Sequence, residues 1–133
     1  MRSRRLEAEF AEEKQGPRVL GNFLGAIDDR HFARFSDVNL NDSASVTFRV
    51  ASAGQGGTIE LRSAAPDGPL CAQVQVPPTG GWEKWVEITR VLSEKPARRG
   101  DIYVVFVNPG KGGLMNLDWI EFHEDQPAEA TLR

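Results

Sequence analysis

Near the end of the chain lies the segment LMNLDWIEF, residues 114–122, which constrains the fold more than any other part. Successive side chains of a β-strand point to opposite faces of the sheet. Leu117 and Trp119 share one face, whereas Ile120 and Phe122 share the other. The segment is therefore predicted to be a strand covered on both faces, or a strand that twists or bulges near Trp119.

Two polar side chains, Asn116 and Asp118, lie within this apolar segment. Because an unpaired carboxylate among apolar groups carries a large desolvation cost, Asp118 needs a partner. If the first and last strands of the chain pair, Asp118 meets Glu7 and Glu9. Three carboxylates together with backbone carbonyls suit Ca²⁺, which takes about six to eight oxygen ligands. The alternative is three separate carboxylates in contact with solvent.

The length and composition indicate one domain with an ordinary core, since the chain has 133 residues. No run approaches the roughly 20 apolar residues of a membrane-spanning helix. The net charge of −3 is small and the basic residues are scattered, so we expect no nucleic-acid partner. The single cysteine, Cys71, excludes an internal disulfide. No apolar run follows the basic residues 1–5, so we expect no secretory signal in this chain.

Period-two alternation of apolar and polar residues recurs along the chain and predicts strands. The clearest of them lie at residues 45–50, 58–62, 70–76 and 85–92, while the continuous apolar run at residues 102–107 predicts a central strand buried on both faces. Residues 6–13, LEAEFAEE, fit either an exposed helix or a strand, and we favour the strand because the rest of the chain is β. The pattern predicts an all-β fold, a two-sheet antiparallel β-sandwich of the jelly-roll type. We place this module at residues 6–123, with residues 1–5 and 124–133 as flexible ends or linker.

A tryptophan follows the glycine-containing loop PPTGG, residues 77–81. The turn glycines offer little to bury Trp82, and an exposed indole is a platform for a flat apolar surface such as a sugar ring. The alternative is that Trp82 covers the end of the sandwich. His31 and Phe32 lie in and beside a charged loop, where the simplest interpretation of His31 is a surface histidine.

The sequence lacks the motifs of the common enzyme classes. No activated serine, Cys–His pair, HExxH segment or phosphate-binding glycine loop is present. Two carboxylates can perform glycoside hydrolysis, but nothing in the pattern puts one of them in an apolar pocket beside the other. We therefore predict a protein that is not an enzyme.

Six segments, taken together and in order, resemble carbohydrate-binding module family 6. They are LEAEF (6–10), LGAID (24–28), FRVAS (48–52), GTIELR (57–62), PPTGGWEKW (77–85) and NLDWIEF (116–122). The resemblance implies a jelly-roll β-sandwich of the galactose-binding-like type with a structural Ca²⁺ ion. It also implies a non-catalytic module attached to secreted polysaccharide-degrading enzymes.

By position, the resemblance implies a role for seven residues. Trp82 matches one of two aromatic rings that clamp a sugar, and Asn116 matches an asparagine that hydrogen-bonds it. Glu7, Glu9 and Asp118 match the calcium ligands, whereas Trp85 and Trp119 match core residues.

The chain departs from the family pattern where the second ring of the clamp is expected. His31 aligns there, and Phe32 takes the place if the loop shifts by one residue. Ala26 stands where an aromatic residue is common. Arg18, with Arg30 nearby, suggests an acidic sugar, because a guanidinium pairs with a carboxylate in a two-pronged geometry.

We therefore expect a monomeric, extracellular module that binds plant, algal or microbial polysaccharide and targets an attached glycoside hydrolase to it. No membrane partner is expected. The alternatives are a sandwich domain that has lost sugar binding and acts as a spacer or protein-interaction domain, and a small glycan-active enzyme.

Overall fold

The computed structural model of the chain describes residues 3–40, 42–92 and 99–124. In chain order the elements are β1 (Ser3–Glu7), one turn of 3₁₀ helix (Ala8–Phe10), β2 (Glu13–Gln15), β3 (Arg18–Val19), β4 (Leu24–Gly25), β5 (Phe32–Asn39), β6 (Ser45–Ser52), β7 (Gly57–Ser63), β8 (Leu70–Val76), β9 (Gly81–Val91), β10 (Arg99–Val107) and β11 (Asn116–His123). Within these ranges no helix has the length and apolar character needed to cross a membrane.

The strands form two antiparallel sheets packed face to face. The first sheet has the order β3-β4-β11-β6-β9, with β1 also paired to β11. The second sheet has the order β2-β5-β10-β7-β8. The predicted all-β, two-sheet antiparallel sandwich is therefore confirmed, and the first and last strands of the chain pair with each other.

A β-bulge in β11 explains why its apolar residues have both parities. Leu117 pairs with Val50 and Trp119 pairs with Arg49, so Asp118 is the extra residue on its strand. Such an insertion reverses the alternation of all residues that follow it. Leu117 therefore points into the sandwich together with Ile120 and Phe122, whereas Trp119 lies on the outer face of the first sheet. Of the two alternatives left by the sequence, the structure shows the bulge near Trp119.

The core lies between the inner faces of the two sheets. Its largest fully buried side chains are Phe48, Phe106, Phe122, Leu24, Ile27, Ile59, Leu61, Ile102, Leu114, Met115, Leu117 and Ile120. Complete burial of an aliphatic or aromatic side chain of this size contributes about 1.5–3 kcal/mol to folding. This core holds the sheets together and keeps the loops that join them in place.

Two sequence-based expectations about local structure are wrong. Residues 6–13 do not form one strand, because β1 ends at Glu7 and the 3₁₀ turn carries the chain from the first sheet to β2 in the second. Ala8 within that turn is completely buried. Trp85 is not a core residue; it is half-buried on the outer face of the first sheet, on the same side of β9 as Glu87, which pairs with Arg49.

The outer face of the first sheet has its own small packing cluster around Trp119. This residue is 6% exposed, and the guanidinium carbon of Arg5 lies 3.9 Å from the centroid of its ring. The pairing of Arg5 with Glu121 places a carboxylate 3.5 Å from the same guanidinium. β1 begins at Ser3, so residues 3–5 belong to the sheet, whereas residues 1–2 and 125–133 of the expected flexible ends lie outside the described residues.

Replacing Phe48 by alanine is expected to lower the free energy of unfolding by about 3–5 kcal/mol, because a completely buried ring leaves a cavity. Phe10→Ala is the matched control, since Phe10 is 72% exposed, and its effect should stay within about 0.5 kcal/mol. Urea denaturation followed by circular dichroism measures both. Equal midpoints for the two variants would contradict this description of the core.

Candidate binding site

The loops at one end of the sandwich are held together by hydrogen bonds rather than extending freely. The N–H of Gly113 donates to Asp28 Oδ1 at 2.8 Å, and the N–H of Leu114 donates to the carbonyl oxygen of Ile27 at 2.8 Å. The hydroxyl of Ser52 donates to the carbonyl oxygen of Leu114 at 2.6 Å. The loops before β5, after β6 and before β11 therefore form one connected surface.

Trp82 lies on this surface at the start of β9 and is 43% exposed. A Cβ atom at Gly54 would lie 2.8 Å from Trp82 Cη2 and would also collide with the carbonyl oxygen of Gly113. Glycine at position 54 thus permits the loops to approach the indole closely. The ring is supported at its Cη2 edge while much of it remains open to solvent.

A cavity of about 350 Å³ opens beside Trp82. This volume is at the lower end of the roughly 300–1,000 Å³ of small-molecule sites. The cavity is lined by Leu20, Phe23, Ala26, Ile27, Met115 and Trp82, together with Gly113 and Asn116. Of these described lining residues, Asn116 is the one with an amide, hydroxyl or charged side chain.

Asn116 is 4% exposed and lies in the wall of this cavity beside Trp82. Its Nδ2 donates a hydrogen bond of 2.8 Å to the carbonyl oxygen of Trp82. The bond joins the start of β11 to the start of β9 and so fixes the backbone that carries the indole. An asparagine amide has two N–H donors and one carbonyl acceptor, so this bond does not exhaust its hydrogen-bonding groups.

Phe23 forms a second aromatic part of the cavity wall, which is not among the residues predicted from the sequence. Its ring meets Trp85 edge to face, with the centroids 5.3 Å apart and the planes at 71°. The guanidinium carbon of Arg49 lies 5.6 Å from the centroid of the Trp85 ring. Trp85 is thus the support of Phe23. The sequence does contain a signal for this position, because Phe23 comes directly after the Gly21-Asn22 turn, where few neighbouring residues can bury an apolar side chain.

The structure places His31 away from the cavity wall. A Cβ atom at Gly16 would collide with the imidazole, so the ring lies against the backbone at that glycine. His31 Nδ1 accepts a hydrogen bond of 3.0 Å from the N–H of Asp28. The imidazole therefore closes the turn at residues 28–31 instead of facing Trp82.

Phe32 and Arg18 also lie outside the described lining of the cavity. Phe32 is the first residue of β5, and it packs edge to face on Tyr103 with the centroids 5.5 Å apart. Strand alternation thereby puts both rings on the outer face of the second sheet. Arg18 is exposed on β3, where it pairs with Gly25. Leu20, Phe23 and Ala26 form the wall where the sequence analysis expected His31 or Phe32.

The three acidic residues near the chain ends lie close together. Glu7 ends β1 and pairs with Trp119, the neighbour of Asp118, while Glu9 lies in the following 3₁₀ turn. Burial raises the pKa of Glu7 above its ordinary 4.5, and the charges of Glu9 and Asp118 raise this pKa further, against a lowering by Arg5. Glu9 Oε1 is buried and has no hydrogen-bond partner among the described residues.

These carboxylates are neighbours, but they are not arranged as a complete metal site. Asp118 Oδ2 is 3.0 Å from Arg49 Nε, and Glu87 Oε2 is 3.2 Å from Nη1 of the same guanidinium. Across residues 3–40, 42–92 and 99–124, no three His, Cys, Asp or Glu side chains have the geometry of a metal centre. A cation that uses Asp118 would have to compete with Arg49 for its carboxylate. Such a cation would give the unpartnered oxygen of Glu9 a partner, and it would lower the raised pKa of Glu7.

Comparison with known proteins places this geometry in a family. The model for carbohydrate binding module family 6 matches residues 7–124. The chain belongs to carbohydrate-binding module family 6. It is therefore a binding module rather than an enzyme, as the resemblance implied.

Two solved structures and one curated relative illustrate the similarity. A β-1,3-glucan-binding family 6 module from Bacillus halodurans is 33% identical, with a TM-score of 0.83 over 90% of this chain and 95% of that one. A family 6 module from Clostridium cellulolyticum, solved with xylose, is 27% identical, with a TM-score of 0.83 over 90% of this chain and 96% of that one. Endo-1,4-beta-xylanase A of Thermoclostridium stercorarium is 27% identical over 88% of this chain, which spans only 23% of that enzyme.

This chain also has a larger depression, with a volume of about 620 Å³, beside Pro77, Pro78 and Pro109. Three of its polar side chains are already bonded within the protein, since Thr58 donates to Gln75 Oε1 at 3.1 Å and Asn108 Nδ2 donates to a backbone carbonyl at 3.1 Å. No aromatic side chain is among its described lining residues. The cavity beside Trp82 is therefore the better candidate site.

The raised pKa of Glu7 predicts how the metal-free module responds to pH. A carboxyl whose folded pKa exceeds the unfolded one stabilises the fold fully below about pH 4.5, and this stability is lost as the pH rises through the folded pKa. In EDTA, Glu7→Gln should therefore gain stability relative to the wild type as the pH rises from 4 to 7. Melting temperatures at several pH values measure the difference.

Glu83→Gln is the control for this series, because Glu83 is exposed on β9 and its substitution should leave the pH profile unchanged. A Glu7→Gln profile parallel to that of the wild type at every pH would contradict the raised pKa of Glu7, which burial and the neighbouring carboxylates cause.

Proposed function

We propose that this family 6 module binds polysaccharide through the cavity beside Trp82 and so holds an attached glycoside hydrolase on its substrate. The observation that carries the proposal is a 43% exposed indole next to a cavity of about 350 Å³ with the Asn116 amide in its wall. A pyranose ring presents a flat C–H face to an indole and hydroxyls at its rim, which matches one apolar surface beside one amide.

In this proposal each part of the wall has a distinct role. Trp82 stacks on one face of the sugar, while Leu20 and Phe23 provide the apolar wall in place of the second ring expected from the resemblance. Asn116 orients the sugar through hydrogen-bonding groups that its bond to Trp82 leaves over. Because the cavity is open and has few polar contacts, the affinity for a single sugar unit should be weak.

Weak binding is sufficient for a module that is covalently attached to an enzyme. Linking a binding module to a catalytic domain raises the effective concentration of that domain at the polymer surface. The similarity to part of a xylanase supports a glycoside hydrolase as the attached domain, and extracellular polysaccharide as the place of action. The named ligands of the similar modules, β-1,3-glucan and xylose, make β-1,3-glucan and xylan the first polymers to test.

Affinity electrophoresis of the wild-type module should show retardation in at least one polysaccharide of a panel that includes these two polymers. Trp82→Ala should weaken the binding roughly tenfold or more, because the stacking surface is lost. Val91→Ala is the matched control, since Val91 lies on the same strand and is 44% exposed against 43% for Trp82.

Retention of full binding by Trp82→Ala would refute the proposed site. Absence of retardation in every polysaccharide would instead favour the alternative of a spacer or protein-interaction domain.

We also propose that Ca²⁺ binds at Glu7, Glu9 and Asp118, where carboxylate oxygens are the ligands that this cation prefers. The proposal is supported by the pKa of Glu7, which burial and then the neighbouring carboxylates raise, and by the unpartnered Oε1 of Glu9. A bound cation would neutralise this repulsion and join β1 to the bulge of β11. The chemistry it would supply is structural.

Addition of Ca²⁺ to EDTA-treated module is expected to raise the melting temperature by several degrees at neutral pH, because a ligand that binds only the folded state stabilises it. The increase should shrink as the pH falls, because carboxylates then bind protons instead of the cation, and for Glu7 this competition begins above pH 4.5 because its pKa is raised. Glu9→Gln should abolish the increase and Glu83→Gln should preserve it. Identical melting in EDTA and in Ca²⁺ would count against these three ligands.

A further inference from the structure

Several polar backbone groups around the cavity are already used within the protein. The N–H of Gly113 donates to Asp28 at 2.8 Å, and its carbonyl oxygen accepts from the N–H of Gln55 at 3.2 Å. The carbonyl oxygen of Trp82 accepts from Asn116 at 2.8 Å. A sugar hydroxyl directed at this wall therefore finds few groups to replace the water it loses.

The side chains of the wall also offer few hydrogen-bonding groups to a sugar. Leu20, Phe23 and Ala26 project from the segment before β5, while Met115 closes the cavity from inside and is 1% exposed. Ala26 has a φ of +54°, a left-handed conformation in which its methyl group forms part of the wall. Asn116 is the one amide, hydroxyl or charged side chain among the described lining residues.

Because this wall is apolar, we propose that the cavity selects a sugar that carries a methyl group over the same sugar with a free hydroxyl. The inference rests on the proposed sugar-binding function of this site. Two sources supply such a group, namely the C6 methyl of a 6-deoxyhexose and the methyl of an O-acetyl ester. In both, an apolar group enters the space bounded by Leu20, Phe23 and Ala26, while Trp82 stacks on the ring.

The expected preference follows from the cost of burying an unpaired hydroxyl and from the gain of burying a methyl group. Together these effects should make the methyl-bearing ligand bind roughly tenfold more tightly than its hydroxylated counterpart. A wall rich in hydrogen-bonding side chains would instead bind the hydroxylated ligand more tightly than the methyl-bearing one.

The test uses matched ligand pairs and isothermal titration calorimetry of the whole chain. The first pair is methyl 6-deoxyglucoside against methyl glucoside. The second is acetylated xylo-oligosaccharide against the same material after alkaline deacetylation. Tighter binding of the methyl-bearing member in either pair supports the inference, and the pair that shows it identifies the source of the methyl group.

Leu20→Ser tests whether the cavity wall causes the preference. Leu20 is 44% exposed, so the fold should tolerate the change, and the added hydroxyl should reduce the preference severalfold towards equal binding. Val19→Ser is the matched control, because Val19 is 46% exposed on the neighbouring position and is not among the lining residues. The control should retain the wild-type preference.

Three results would overturn the inference. Equal or weaker binding of the methyl-bearing members refutes it while polysaccharide binding through Trp82 stands. The same conclusion follows if no member of either pair binds but another polysaccharide of the panel does. Binding to no glycan at all refutes the proposed function as well.

Discussion

The pairing of β1 with β11, beside the bulge that Asp118 makes between β11 and β6, is the constraint on which both candidate sites depend. It joins the two ends of the chain and puts Glu7 directly beside the bulge. The same strand begins with Asn116, whose amide holds the backbone of Trp82. Without the extra residue in β11, the apolar side chains before the bulge and those after it could not all face the core, since side-chain direction alternates strictly along a strand.

The cavity beside Trp82 is formed by loops, but its precision comes from the strands beneath them. Short hydrogen bonds tie the loops to one another, and the glycine at position 54 lets them approach the indole without steric conflict. Binding sites are commonly built from loops on a rigid scaffold. In this module the scaffold is the sandwich core, and the loops approach the exposed ring at its Cη2 edge.

A continuous set of contacts connects the cavity wall with the acidic cluster. Phe23 meets Trp85, Arg49 lies over Trp85, and the same guanidinium pairs with Asp118. The outer face of the first sheet is therefore a second packed layer that supports the binding surface. This arrangement explains why Trp85 is half-buried outside the core, where the resemblance suggested a core position.

The sequence alone was sufficient for the sandwich and for Trp82 as the exposed indole, because alternation and turn residues are local properties of the chain. It left the bulge near Trp119 as one of two alternatives, and the pairing of β11 with β6 decided between them. The opposite wall was not predictable in this way. Leu20 and Phe23 reach the cavity only because the turn between β3 and β4 folds back. His31 lies away from the cavity because Gly16, which has no side chain, leaves room for the imidazole. Such placements depend on contacts between distant segments, and tertiary packing alone sets them.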